Sequence, residues 1–135
     1  MRLEGLRVRE NAGRVRRTVE LAWIGGESEL TVEVPAEYAP AEDDYSPFVP
    51  VALLAAMRRA EPLQVDGPVS ERLLGNLTHA QEIMSAWNPS LQRVAVRATG
   101  LAAAPPAPAA GRVVLLAGHR FDLQRGRRQS RRRPA

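Results

Sequence analysis

A chain of 135 residues, 44% of them hydrophobic, is long enough for one domain with a modest core and too short for two. It holds no cysteine, which excludes disulfide frameworks, thiolate metal sites and cysteine nucleophiles. A net charge of +4 invites a nucleic-acid reading, yet the excess sits from Arg120 onward, seven arginines against Asp122, and the remainder is slightly acidic.

Leu3 to Glu10 alternates apolar and polar residues, Asn11, Ala12 and Gly13 suit a turn, and Val15 to Ile24 resumes the alternation through Val19, Leu21 and Trp23. A second turn over Gly25–Ser28 leads to Glu29–Val34, where Leu30, Val32 and Val34 share one face. These runs predict a three-stranded antiparallel meander. The segment from Pro35 to Asp44 reads as a connection leaving the sheet, and Ser46-Pro47 or Pro50 opens a helix that continues from Val51 to Ala60. Glu61-Pro62 ends it, and Leu63–Val65 is expected as a short strand before a turn at Asp66, Gly67 and Pro68.

Ser70 is a suitable N-cap for a second helix, with Leu73, Leu74, Leu77, Ala80, Ile83, Met84 and Trp87 on one face. Asn88-Pro89 stops that helix, and Arg93–Arg97 alternates as a further strand. Residues 102–111 form an Ala/Pro spacer, residues 112–116 a compact apolar strand, and residues 117–135 a disordered basic tail. The fold class expected is α+β: an N-terminal antiparallel β-meander, then two helices and one or two further strands, within a domain spanning residues 1–101.

Little in this sequence converges on catalysis. His79 and His119 have no neighbour at metal-ligand spacing, and His79 falls on the polar side of its helix. Glu42, Asp43 and Asp44 form an acidic triplet that reads as a solvated loop rather than a Mg²⁺ site. Gly25-Gly26 lies between antiparallel strands, which suits a turn and not a phosphate cradle. Trp23 and Trp87 fall on faces assigned to the core. The start of the chain has no uninterrupted apolar stretch, so a cytoplasmic protein without a membrane span is expected.

The residues Asp44–Phe48, Leu53–Leu63, Val65–Ser70, Arg72–Leu74, Gln81–Ile83 and Ala86–Pro89 carry a family resemblance. Together they resemble the N-terminal region of bacterial PP-loop proteins related to 7-cyano-7-deazaguanine synthase and to the asparagine synthetase ATP-pyrophosphatase domain. In that family a linker leads to a buried strand and then a Ser-Gly-Gly-x-Asp-Ser loop, which implies binding of the ATP pyrophosphate through backbone amides. Here Val113–Leu116 supplies such a strand, but Ala117 to Gln124 does not supply the loop. Read one nucleotide forward, Leu115 to Asp122 can encode Phe-Ser-x-Gly-Thr-Asp-Ser-Thr, close to the missing motif. The lysine-free, arginine-rich tail is what shifted GC-rich coding would give.

The resemblance implies an accessory or interface domain with no catalytic, cofactor-binding or metal-binding residues of its own, ATP and Mg²⁺ belonging to the rest of the parental protein. Asp44, Arg58 and Arg59 are the candidate contacts to a PP-loop catalytic domain. Two other readings carry different expectations. One is a free-standing interaction module whose arginine tail binds nucleic acid, and the other a homo-oligomer burying Val113–Leu116 between copies.

Overall fold

The structure is a computed structural model that describes residues 1–103. Most of the Ala/Pro spacer, the strand expected at 112–116 and the tail at 117–135 lie outside the described residues.

The meander is present as β1 (Arg2–Asn11), β2 (Arg14–Trp23) and β3 (Gly26–Pro35). Ala12 and Gly13, at φ 50° and 73°, join β1 to β2, a pair of positive φ values that matches the twist of a two-residue hairpin. Ile24 and Gly25 join β2 to β3 with Gly25 at φ 94°. The turn expected over Gly25–Ser28 is confined to Ile24 and Gly25, and β3 begins three residues earlier than expected, because Gly26 already pairs with Trp23 and Ser28 with Leu21. The chain then passes through α1 (Val49–Arg59), β4 (Leu63–Ser70), α2 (Glu71–Trp87) and β5 (Val96–Ala102). Strand order in the five-stranded sheet is β3-β2-β1-β4-β5, with β1, β4 and β5 mutually parallel, so the fold is α+β on a mixed sheet.

Period-two alternation gives the sheet two unlike faces. Leu3, Val19, Leu21, Leu63, Val65 and Val69 point into one buried cluster with Phe48, Val49, Leu53, Ala56 and Met57 from the α1 segment and Leu77 from α2. Each such large side chain, fully buried, contributes about 1.5–3 kcal/mol. The other face carries arginine, glutamate and threonine and has no layer over it among the described residues.

Beside β4 the ladder of β1 breaks early. The two strands pair only at Arg2–Gln64 and Leu3–Val65, because β1 bulges between Glu4 and Arg7, with Gly5 at φ 68°, and β4 shifts register between Val65 and Pro68. Tyr45 joins the two irregular stretches. Its hydroxyl accepts the Leu6 amide at 3.1 Å, its own amide donates to the Pro68 carbonyl at 2.9 Å, and its ring lies on Gly67.

Three expectations are corrected. Asp66, Gly67 and Pro68 do not turn the chain but continue β4 to Ser70, since Gly67 leaves the room that Tyr45 occupies. The last strand starts at Val96 rather than Arg93 and runs through Ala102, past the expected boundary at 101. The Gln81 amide occupies both backbone groups of Val94, donating Nε2–H to its carbonyl at 3.1 Å and accepting its N–H at 2.7 Å, in place of a neighbouring strand. Lastly, the inward stripe of α2 runs through Leu73, Leu77, Gln81 and Met84. At 100° per residue this puts Trp87 about 80° and Ile83 about 120° from Leu77. Trp87 is therefore 84% exposed and Ile83 is exposed, not buried.

Candidate functional site

The three residues singled out as contacts are not brought together. Asp44 precedes α1 and Arg58 and Arg59 end it, a helix about 16 Å long separating them. Asp44 is engaged internally: its Oδ1 accepts from the Ser46 amide at 2.8 Å and from the Ser46 hydroxyl at 2.5 Å. Ser46 Oγ in turn accepts the Ser70 amide at 2.8 Å, tying the loop to the start of α2, where Ser70 Oγ accepts the Leu73 amide at 3.3 Å. Arg58 and Arg59 are exposed, favourably placed at a helix C-terminus, and Arg59 lies over the Trp23 ring at 4.7 Å. Trp23 is thus half-buried under a cation rather than fully enclosed.

The acidic triplet closes on a residue that motif reading passed over. Arg17 sits on the inward face of β2, 1% exposed. Its guanidinium donates to the carbonyls of Pro40, Ala41 and Glu42 at 3.2, 2.5 and 2.6 Å. Burial pushes its pKa below the usual arginine range, opposed by the nearby Asp44, Asp43 and Glu42. The alternation Val15, Arg17, Val19, Leu21 already assigns Arg17 inward. Only its charge argued otherwise.

The diglycine serves the β2–β3 hairpin rather than a helix start, and no group of three or more His, Asp or Glu side chains stands at metal-holding distance among the described residues. His79 is exposed, its Nδ1 3.6 Å from Glu82. No helix among the described residues is long and apolar enough to cross a membrane.

Two surfaces remain. The first is the outer side of the helices, where α1 exposes Val51 and Leu54 and α2 exposes Ile83 and Trp87. The second is the open sheet face. There Arg14 and Arg16 both bind Glu33, at 2.6 and 3.0 Å, and hold its carboxyl below the ordinary glutamate range. Arg7 pairs with Glu29, Thr18 and Thr31 share a hydroxyl hydrogen bond of 3.1 Å, and Arg2 binds Asp66 at 2.7 Å. Arg7, Arg9, Arg16, Thr18, Glu29 and Thr31 line a shallow depression of ≈ 280 Å³. Comparison with protein-family models, curated proteins and solved structures gives no match to this chain.

Proposed function

We propose that this domain is a non-catalytic accessory or interface domain of a PP-loop ATP-pyrophosphatase-like, adenylating protein, acting in the cytoplasm. The observation that carries the reading is Trp87, which belongs to the Ala86–Pro89 segment of the resemblance and stands 84% exposed. An exposed tryptophan beside a further exposed apolar residue, Ile83, is the composition of an interface centre rather than of a solvated helix face. In this reading the partner is the PP-loop catalytic domain, which supplies the ATP and Mg²⁺ chemistry. Arg58 and Arg59 are then charges at the rim of the contact, whereas Asp44 acts at the opposite end of α2, where it ties the loop to Ser70 through Ser46.

The gene provides the first test. A Ser-Gly-Gly-x-Asp-Ser-like loop and the rest of a PP-loop domain in the shifted frame after the Leu116 codon support the reading, and a locus without one removes it. Where the domain is encoded, the chain is expected to bind it, Trp87→Ala to weaken binding by 2 kcal/mol or more, as at an aromatic interface centre, roughly thirtyfold, and the chain alone not to hydrolyse ATP.

A further inference from the structure

The open face of the meander contains an arrangement that folding alone does not favour. Arg9 of β1 lies directly opposite Arg16 of β2, and like charges in direct cross-strand register destabilise a sheet. Neighbouring arginines have carboxylates: Arg7 has Glu29, and Arg14 and Arg16 share Glu33. Among the described residues, Arg9 has no ion pair. The depression beside it is lined by Arg7, Arg9 and Arg16 with Glu29, and because Arg7 and Arg16 have carboxylate partners, Arg9 is the lining guanidinium left without one. Its lining also includes the Thr18–Thr31 hydroxyl pair, 3.1 Å apart. One hydroxyl hydrogen makes that bond, and the other is available to an acceptor above it.

We infer that this depression binds a phosphate group, free or as the phosphomonoester of a small molecule. A tetrahedral dianion offers enough oxygens to accept from Arg9, Arg16 and a threonine hydroxyl together, and guanidinium forks suit that geometry better than point charges do. Bound there, it lies between the two opposed arginines and reverses their repulsion. The salt bridges of Arg7 and Arg16 hold those guanidiniums in place before the anion arrives. The outward residues of β1, β2 and β3 include no aromatic side chain, so the face offers bases no stacking platform, which favours a small phosphomonoester over a single-stranded nucleic acid.

The test uses the full chain and a readout resolved by residue, because the arginines beyond residue 117 also attract anions. Inorganic phosphate, glycerol 3-phosphate and a ten-nucleotide oligothymidylate are titrated separately while amide and arginine Nε–H resonances are followed by NMR. The proposal expects saturable shifts of Thr18, Thr31, Arg9 and Arg16 with phosphate and glycerol 3-phosphate. Arg9→Gln and Thr18→Val should each weaken them about tenfold, the loss of one charge-assisted hydrogen bond. Added phosphate should also raise the Tm of the native chain more than that of Arg9→Gln. Shifts confined to residues after 117, or linear and unsaturable at Thr18 and Thr31, overturn it. So does oligothymidylate binding at Arg9 and Thr18 far more tightly than glycerol 3-phosphate.

Discussion

Tyr45 and Gly67 occupy a single volume between them: a Cβ at residue 67 would overlap the Tyr45 ring edge at Cδ2 and Cε2. The ring cannot retreat freely, since its hydroxyl holds the Leu6 amide across the gap between β1 and β4. Gly67→Ala is therefore expected to cost about 2–3 kcal/mol, an overpacking penalty in a filled core. Tyr45→Phe keeps the packing and orphans one amide, for about 1 kcal/mol. Urea unfolding checks both, and the double variant Gly67→Ala/Tyr45→Ala should lose less than Gly67→Ala and Tyr45→Ala, each measured singly, lose together.

Arg17 is expected to matter for stability and not for binding. Arg17→Ala leaves the Pro40, Ala41 and Glu42 carbonyls without their donor and opens space behind β2, a loss of about 2–4 kcal/mol. Arg17→Lys should recover less than half of it, because one ammonium does not reproduce a planar fork reaching three carbonyls. Thermal unfolding measures the loss, and faster amide exchange in the loop from Ala39 to Asp44 locates it.

Asp44→Ala and Ser70→Ala are expected to act through the same joint. Each removes a capping or turn interaction worth about 1 kcal/mol, and Asp44→Ala also frees the Ser46 hydroxyl that receives the Ser70 amide. Chemical unfolding should show about 1–2 kcal/mol for either, with the pair falling short of additivity.

Glu33 sets an acid-side dependence. Hydrogen bonds from Arg14, then Arg16, lower its folded-state pKa below its unfolded value. Its contribution to stability is therefore complete above the ordinary carboxylate pKa, about 4.3, and disappears as pH falls through the lower folded value. Carboxyl ¹³C titration should place Glu33 below the ordinary glutamate range, Arg14→Gln should raise its midpoint, and added salt should do the same because the pair is exposed.

Local chemistry made much of this fold legible. The hairpins follow from alternation and from Gly13 and Gly25, and the start of α2 follows from the Ser70 cap. Long-range partners decided the rest. Asp66-Gly67-Pro68 has the composition of a turn, and what keeps it in a strand is a tyrosine over twenty residues earlier in the chain. The α2 face does not follow from apolar spacing, because its most inward position beside Leu77 is Gln81, a polar residue that serves as a substitute strand partner for Val94. Counting only apolar residues tilted the expected face toward Ile83 and Trp87. As for contacts, charge singled out Asp44, Arg58 and Arg59, whereas Arg9 becomes notable only once pairing sets it against Arg16.

The central claim is that the exposed α2 surface at Trp87 is where a catalytic domain docks, and the emission of Trp87 tests it most directly. In Trp23→Phe it is the only tryptophan, and in the free chain it should emit as a solvated indole that iodide quenches fully. Adding the purified PP-loop domain translated from the shifted frame of the same locus should move that emission to the blue and protect it from iodide. If the domain binds while the emission stays red and quenchable, the docking surface lies elsewhere and the account is wrong.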